Sequence, residues 1–326
     1  MKVAVVGLGF GKLHLQGLKD LNDVGLVICD TNKELLNKTA LEYDITSITT
    51  SYNDILSDKI VDIITLAVPH YLHYKMIKQG LDSNKHVYCE KPLTIKLSEA
   101  KKLTKFAEEK NLHLTVGFNM RFYKQYQKAY SLINSGEIGS LIMVDCFARA
   151  NARGMDGFRL LKKKAGGGCL IDSGAHRFDL LRWLIGPVCS VFARGDKYVL
   201  DKMEAEDTAI VSMKFNKGII GTLNCSWGVY APRWDEGMKI YGEKGTLEIW
   251  DSDLSLTWRK ADGTSETYKY NVSYEDTVGL SLANFINDVK ENRPIDKVKN
   301  LASLQIIEAA YQSLEEGFPV KIKNPI

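Results

Sequence analysis

The sequence lacks the features that mark membrane and secreted proteins. Its apolar runs all fall short of the roughly 20 residues that a bilayer-spanning helix needs. Its six cysteines lie far apart, without a C-x-x-C pair. We therefore expect reduced thiols in a cytoplasmic protein rather than a disulfide framework. The apolar run Val3–Val6 is soon followed by Lys12 and His14, without a small-residue cleavage site, so we expect no signal peptide.

An excess of charge of one sign is also missing. Lysine and arginine number 43 against 40 acidic residues, which gives a formal net charge of +3. The basic residues are scattered rather than clustered, unlike those of a nucleic-acid-binding surface or a polybasic membrane patch. We therefore expect neither nucleic acid nor a membrane as a partner. The 326 residues, 45% of them hydrophobic, predict about two domains that each bury a core.

Buried-strand patterns alternate with helical patterns in the first part of the chain. Short continuous apolar runs are typical of strands that are covered on both faces. The predicted strands are Val3–Val6, Val24–Cys29, Ile60–Val68, His86–Cys89 and Leu112–Val116. Amphipathic stretches between them read as helices. This alternation predicts an α/β domain of the Rossmann type, with a doubly wound parallel sheet, over residues 1–120.

A glycine-rich turn follows the first predicted strand. Gly7 permits a tight turn, and Gly9 lets a pyrophosphate approach the backbone at the start of the next helix. Gly11 comes one residue before the usual position of the third glycine in this motif. Asp30 ends the second strand about twenty residues later, where a carboxylate binds ribose hydroxyls and repels a 2′-phosphate. The pattern predicts NAD as the cofactor, with NADP less favoured.

The pattern changes to successive strands in the second half of the chain. The predicted strands are Leu141–Ala150, Val188–Arg194, Thr208–Phe215, Ile219–Trp227, Met238–Tyr241, Thr246–Trp250 and Leu254–Trp258. Turn residues separate them, and Thr277–Asn292 and Leu301–Glu316 read as closing helices. Residues 121–326 are therefore predicted to form an α+β domain with a large, mostly antiparallel, open-faced sheet. Apolar side chains alternate along several strands, so we expect a homodimer or homotetramer packed through this sheet.

A run of three glycines, Gly166–Gly168, introduces the most chemically suggestive stretch. Asp172 and His176 are four residues apart and Asp179 is three further on, so one helix face can carry all three. A carboxylate beside an imidazole suits proton transfer. The same three side chains would also suit a divalent metal ion, and that alternative stays open, although we expect no metal.

The chain resembles the glucose-fructose oxidoreductase/inositol dehydrogenase (Gfo/Idh/MocA) family. The resemblance rests on four motifs in order: the glycine turn, Glu90–Pro92, the sequence Gly-Phe-Asn-Met-Arg-Phe at Gly117–Phe122, and Gly-Gly-Gly-x-x-x-Asp-x-Gly-x-His-x-x-Asp at Gly166–Asp179. It implies a two-domain NAD(P)-dependent oxidoreductase acting on sugars, polyols or their derivatives. His70 stands where members usually carry asparagine.

The resemblance assigns roles to individual residues. Lys91 matches the family's catalytic lysine, Asp172 its substrate-orienting aspartate and His176 its catalytic histidine, and a cis Lys91–Pro92 peptide is implied. The residues predicted to contact the cofactor are Gly7, Gly9, Phe10, Gly11, Asp30, Pro69, His70, Glu90, Lys91 and Asn119. Those predicted to contact the substrate are Asn151, Arg153, Arg159, Asp172, His176 and Trp234.

The predicted reaction is hydride transfer between nicotinamide and a hydroxyl-bearing carbon of a sugar, cyclic polyol or sugar derivative. We expect Lys91 and His176, from different domains, to converge on that hydroxyl. Two alternatives stay open. One is an enzyme that recycles NAD through a transient keto-sugar, and the other is a non-catalytic NAD-sensing regulator.

Overall fold

The computed structural model describes residues 1–19, 21, 23–230 and 235–326. The chain divides into two compact units. The first comprises Met1–Asn119 and Ser273–Asn300, and the second comprises Met120–Val272 and Leu301–Ile326. The sequence predicts a single domain boundary, at residue 120. In the structure, the second unit does not run without interruption from that residue to the end of the chain. Residues 273–300 belong to the first unit, which the change of pattern in the sequence did not indicate.

Strands and helices alternate through the first part of the chain. The strands are β1 (Lys2–Val6), β2 (Gly25–Cys29), β3 (Ile48–Thr49), β4 (Val61–Leu66), β5 (His86–Cys89) and β6 (Leu114–Val116). The helices are α1 (Leu8–Leu18), α2 (Lys33–Tyr43), α3 (Tyr52–Ser57), α4 (His70–Asp82) and α5 (Leu97–Glu109). Local chemistry fixes several ends: the Asn32 side chain accepts the Leu35 N–H at the start of α2, and Asp44 ends that helix with a left-handed backbone.

Strands dominate the rest of the chain. The helices are α6 (Lys124–Asn134), the short α7 (Lys162–Ala165), α8 (Ser173–Leu184), α9 (Tyr274–Lys290) and α10 (Lys297–Glu316). The strands are β7 (Leu141–Arg149), β8 (Val188–Asp196), β9 (Thr208–Phe215), β10 (Ile220–Ser226), β11 (Asp235–Gly242), β12 (Gly245–Trp250), β13 (Ser255–Lys260), β14 (Ser265–Lys269) and β15 (Val320–Lys321).

The first unit is built on a parallel sheet with the strand order β3-β2-β1-β4-β5-β6. All of its paired strands run parallel, as the doubly wound prediction requires. The order reverses at β1, so β1 and β4 flank the point where the carboxyl ends of the strands leave a crevice for a ligand. This confirms the predicted fold of the N-terminal part.

Helix α9 completes the core of the first unit. It begins at a capping box in which Ser273 and Asp276 bond each other's backbone N–H groups. Four of its apolar side chains join the buried cluster around β1 and α1: Val278, Leu282, Phe285 and Ile286. The helix lies close against α1, since a Cβ added at Gly17 would come within 2.3 Å of the Gly279 Cα. Burial of apolar surface therefore holds this late segment in the first unit.

The second unit carries a sheet with the order β14-β13-β12-β11-β7-β10-β9-β8-β15. Its strand pairs are antiparallel, apart from the parallel pair of β10 with β7. Helix α8 packs against β7 and β10, and α6 packs against β12 and β13. The mostly antiparallel sheet predicted from successive strands is confirmed.

Two further expectations concern the chain as a whole. None of the helices among the described residues has both the length and the apolar composition needed to span a membrane. All six cysteines are free, and five of them are buried. Burial raises the pKa of the Cys29 thiol to about 11, so that thiol is protonated at neutral pH.

Candidate active site

The glycine turn joins β1 to α1 in a tight backbone conformation. Gly7 has a φ of +87°, and a Cβ at this position would lie 2.5 Å from the Ala67 carbonyl oxygen. Only glycine fits there. A Cβ at Gly9, by contrast, would meet nothing within 4 Å. Gly11 packs α1 against β1, with its hypothetical Cβ 3.0 Å from Val5 Cγ1.

Asp30 lies beside this turn. Its Oδ2 accepts the Leu8 N–H at 2.6 Å, and its Oδ1 accepts the Asn32 N–H at 2.8 Å. The carboxylate that ends β2 therefore touches the first turn of α1, the element that follows the neighbouring strand. Glycine turn and acid, predicted to act together from their spacing, are brought together by the fold.

Glu90, Lys91 and Pro92 follow β5 at the same carboxyl edge of the sheet. The Lys91–Pro92 peptide is cis, as the family resemblance implies. Glu90 is 8% exposed, and its Oε1 lies 3.0 Å from His14 Nε2. His14 is fully buried, and its Nδ1 lies 3.1 Å from Thr65 Oγ1. The acid that precedes Lys91 is thus tied to α1 and β4.

His73 connects the two loops that follow β4 and β5. Its Nδ1 lies 2.7 Å from the Pro92 carbonyl oxygen and its Nε2 lies 2.8 Å from the Val68 carbonyl oxygen. Burial lowers the pKa of the His73 imidazole, so the ring is neutral at pH 7. A neutral ring carries one N–H, and it therefore donates to one of these carbonyls at a time.

The remaining residues predicted to contact the cofactor occupy the same unit. Pro69 precedes α4, His70 is its buried first residue, and the ring of Phe10 lies edge-on to His14 at 6.0 Å. Asn119 is buried, and its Nδ2 donates to Thr277 Oγ1 at 2.7 Å. The fold gathers these side chains in one unit, and their contact with a cofactor stays a prediction.

In the second unit, Asp172 immediately precedes α8 and His176 lies on its first turns. Both are almost completely buried, at 6% and 7% exposure. Arg159 Nε donates to Asp172 Oδ2 at 2.7 Å, while the Arg159 side chain keeps 41% of its surface exposed. Ser173 opens the helix, and its Oγ accepts the Trp227 Nε1–H at 2.8 Å. Three predicted residues, Arg159, Asp172 and His176, are therefore placed within one short region.

Helix α8 carries more buried charge than an ordinary core helix. Asp179 is held by both Nε and Nη2 of Arg121, at 2.8 and 2.6 Å. Arg177 is 1% exposed and reaches Glu236 at 2.6 Å and Asp251 at 2.7 Å. Because each buried charge has an opposite partner, the helix can lie inside the unit without unpaired ions. The sequence predicted neither partner set.

The triple glycine leads into α8 along a crowded path. A Cβ at Gly167 would lie 1.9 Å from Tyr311 Oη, and one at Gly168 would lie 1.8 Å from the Glu206 carbonyl oxygen. The Glu206 carboxylate accepts the N–H groups of Gly168 and Leu170, each at 3.1 Å. Burial raises the pKa of Glu206, against the opposing effect of these hydrogen bonds. Close approach, rather than flexibility, explains Gly167 and Gly168.

Of the three other residues predicted to contact substrate, the structure describes two. Asn151 and Arg153 are exposed, and the Asn151 Oδ1 accepts a hydrogen bond from Arg153 Nη1 at 3.0 Å. Trp234 lies outside the described residues. Within residues 1–19, 21, 23–230 and 235–326, no group of three His, Cys, Asp or Glu side chains is arranged to hold a metal ion. Asp172 and Asp179 each bind an arginine instead.

His14, Arg121, Glu206 and Tyr311 were not predicted from the sequence. Arg121 lay inside a quoted motif, and an arginine in such a motif was a usable signal. The others carry no local signature, because each acts on a segment distant in the sequence.

Comparison with known proteins identifies the chain's relatives. Residues 1–118 match the family model described as "Oxidoreductase family, NAD-binding Rossmann fold", and residues 126–248 match "GFO/IDH/MocA C-terminal domain". An uncharacterized oxidoreductase of Synechocystis sp. is 30% identical over 271 residues, which cover 78% of this chain and 72% of the relative. The myo-inositol 2-dehydrogenase of Thermotoga maritima is 27% identical over 340 residues, covering all of both chains.

A solved structure has the same fold over nearly the whole chain. Levoglucosan dehydrogenase, in complex with NADH and levoglucosan, superposes with a TM-score of 0.92 at 20% identity. The match covers 99% of each chain. At this identity the likeness bears on the fold alone.

Proposed function

The chain belongs to the Gfo/Idh/MocA family of NAD-binding oxidoreductases, and from this premise we propose that it is a dehydrogenase of CH–OH groups. The proposed reaction transfers a hydride between NAD and a hydroxyl-bearing carbon of a sugar, cyclic polyol or sugar derivative. The names of the relatives support this substrate class. The observation that carries the proposal is the position of Lys91: it follows β5 at the same carboxyl edge of the sheet at which Gly7 follows β1.

The residues of the first unit fit a dinucleotide. The space at Gly9, with no atom within 4 Å of a hypothetical Cβ, would admit a pyrophosphate against the N-terminus of α1. Asp30 stands at the end of β2 for the ribose hydroxyls, and its negative charge opposes a 2′-phosphate. We therefore assign NAD rather than NADP. When bound, NAD supplies the hydride acceptor.

The chain's own residues supply proton transfer and orientation. We assign His176 as the general base that removes the proton of the hydroxyl being oxidised, and Lys91 as the group that positions that oxygen and shares its proton. Asp172 orients a neighbouring hydroxyl by accepting its hydrogen bond. Arg159 fixes the orientation of the Asp172 carboxylate through Nε at 2.7 Å.

The test is a substrate panel of inositols, aldoses, glycosides and amino sugars, each assayed with NAD and with NADP. The absorbance of the reduced cofactor measures the rate of each reaction. Lys91→Ala should lower kcat by at least a hundredfold, the scale on which positioned proton-transfer groups act, and leave the Kd for NADH unchanged. Lys96→Ala is the matched control, since Lys96 lies in the same segment before α5. Unchanged kcat in Lys91→Ala would remove Lys91 from the mechanism.

The same panel separates two other functions. Product formation without accumulation of NADH would indicate an enzyme that recycles NAD through a transient keto-sugar. A protein that binds NADH tightly but converts none of the substrates would indicate a regulator that senses NAD. A preference for NADP over NAD would contradict the role given to Asp30.

We also propose self-association through the open face of the large sheet. Met143, Phe192, Ile210 and Ile220 line this face from four neighbouring strands, and the two isoleucines are each more than half exposed. Ser212, Lys214 and Thr222 lie on the same face, among these apolar residues. Light scattering should therefore give a dimer or tetramer, and the double variant Ile210→Glu with Ile220→Glu should shift it toward monomer. A wild-type monomer at micromolar concentration would contradict the proposal. The cytoplasmic location expected from the cysteines stays a prediction.

A further inference from the structure

We propose that Glu206 and Tyr311 are positioning residues that hold Asp172 and His176 in their working orientation by fixing the backbone of residues 168–170. The inference rests on the proposed function, since it concerns the same catalytic helix. Neither residue lies in a motif that carries the family resemblance.

Glu206 binds three consecutive backbone N–H groups. Its carboxylate accepts those of Gly168 and Leu170, and its own carbonyl oxygen accepts that of Cys169 at 3.0 Å. Tyr311 completes the arrangement, because its hydroxyl donates to Glu206 Oε1 at 2.9 Å and accepts the Gly168 N–H at 3.1 Å. Glu206 and Tyr311 therefore define the path of residues 168–170. We call these two residues the glycine clamp.

The segment held by the glycine clamp leads directly to the start of α8. The Gly168 carbonyl oxygen accepts the Asp172 N–H at 3.3 Å, and the Cys169 carbonyl oxygen accepts the Gly174 N–H at 2.9 Å. Two of the three residues that the clamp grips by their N–H groups thus also supply carbonyls to the start of the helix. Asp172 and His176 take their positions from that helix start.

The clamp is needed because the glycine segment that leads into residues 168–170 cannot fix itself. Gly166, Gly167 and Gly168 have no side chains to pack, and such a segment gains conformational freedom when its hydrogen bonds are lost. Steric contact with Tyr311 and Glu206 also forbids larger residues at two of these positions. The triple glycine and the clamp are therefore complementary parts of one device.

The test combines substitutions with two independent readouts. Tyr311→Phe removes one donor and one acceptor, and Glu206→Gln replaces one carboxylate oxygen by an NH2 group, which cannot accept a hydrogen bond. We expect amide hydrogen exchange at residues 168–170 to rise at least tenfold in Glu206→Gln and by a smaller factor in Tyr311→Phe. We also expect kcat/KM for the polyol to fall at least tenfold in Glu206→Gln, with the Kd for NADH unchanged.

Two controls match these substitutions. Glu204→Gln changes an exposed acid two residues away, and Tyr130→Phe changes a tyrosine that stacks on Trp183 at 4.6 Å. Both should leave exchange at 168–170 and kcat/KM within twofold of wild type. If Glu206→Gln does not fold, the milder Tyr311→Phe still gives both readouts.

The outcomes separate the two claims. Faster exchange with kcat/KM unchanged, or exchange unchanged in both variants, would overturn the inference. A melting temperature that falls without any change in kcat at 20 °C would also overturn it, since that is the result of a purely structural role. A wild type that binds NADH but oxidises no polyol would contradict the proposed function, and hydrogen exchange would still decide whether the clamp holds residues 168–170.

Discussion

Glu90 Oε1 lies 3.0 Å from His14 Nε2, and both residues are buried inside the first unit. His14 belongs to the helix that follows the glycine turn, and Glu90 immediately precedes Lys91. The pair therefore ties the predicted phosphate-binding helix to the loop that carries the predicted catalytic lysine. Gly117 leaves room for it, because a Cβ there would lie 3.0 Å from Glu90 Oε1.

Removal of one partner of this pair should be costly. His14→Ala leaves the buried Glu90 oxygen without its hydrogen bond, so we expect the free energy of unfolding to fall by about 2–4 kcal/mol. Urea denaturation at pH 7.5 measures it. The control is Lys33→Ala, because Lys33 is exposed. His73→Ala is not a suitable control, because the His73 ring is also buried and hydrogen-bonded. A loss below about 0.5 kcal/mol would show that the His14–Glu90 contact is energetically neutral.

Gly9 separates cofactor binding from folding. Because a Cβ there meets no protein atom and the residue lies within α1, Gly9→Ala should leave the free energy of unfolding unchanged or raise it by up to ~1 kcal/mol. The added methyl should occupy the space of the pyrophosphate and raise the Kd for NADH at least tenfold. Fluorescence titration with NADH measures this. Gly7→Ala is the contrasting variant, since its positive φ and its contact with Ala67 predict a loss of stability. Unchanged NADH affinity in Gly9→Ala would place the phosphates elsewhere.

The bidentate pair of Arg121 and Asp179 should contribute strongly to the second unit. Arg121→Met takes a bidentate partner from a carboxylate that is 3% exposed, so we expect a loss of about 3–5 kcal/mol of unfolding free energy. Arg121→Lys should lie between wild type and Arg121→Met because lysine lacks the planar fork. Arg259→Met, which breaks an exposed pair with Glu248, should cost much less than Arg121→Met because solvent screens that pair. Equal losses in Arg121→Met and Arg259→Met would contradict the argument.

His86 should make stability depend on pH. Burial, with a further effect from the nearby His113 charge, lowers its pKa to about 4. The unfolded state thus binds a proton more readily between about pH 6.5 and 4, and the unfolding free energy falls as the pH falls through that window. After allowance for solvent screening of this half-buried ring, we expect about 1–2 kcal/mol from this group.

The measurement compares wild type with His86→Asn across that pH range. Asparagine can keep the acceptor for the His113 N–H, which His86 Nδ1 accepts at 3.0 Å. The two curves should run parallel above pH 7 and converge or cross below pH 6. Parallel curves down to pH 4 would show that His86 titrates normally in the folded protein.

Much of the fold could be predicted from the sequence because its signals are local. The run Val3–Val6, the turn at Gly7 and the acid at Asp30 each depend on neighbouring residues, and strand alternation distinguishes the two sheets. Strands of two residues such as β3 carry too little pattern to be recognised. The assignment of α9 to the first unit depends on which surface covers its apolar face, and an amphipathic pattern does not specify that partner.

The candidate site could be predicted only in part for a similar reason. Lys91, Asp172 and His176 lie in compact motifs. Glu206 lies 36 and 38 positions from the amides that it binds, and Arg121 lies 58 positions from Asp179. Such long-range hydrogen bonds leave no mark in composition or periodicity. The close approach at Gly167 and Gly168 could not be predicted from the sequence either, since a glycine repeat indicates flexibility as readily as crowding.

The late position of α9 has a consequence for synthesis. The core around β1 and α1 lacks Val278, Leu282, Phe285 and Ile286 until the ribosome has made nearly nine-tenths of the polypeptide. The apolar surface that α9 covers therefore stays exposed in the nascent chain while residues 120–272 are synthesised. In a fragment that stops at residue 119, this surface is never covered.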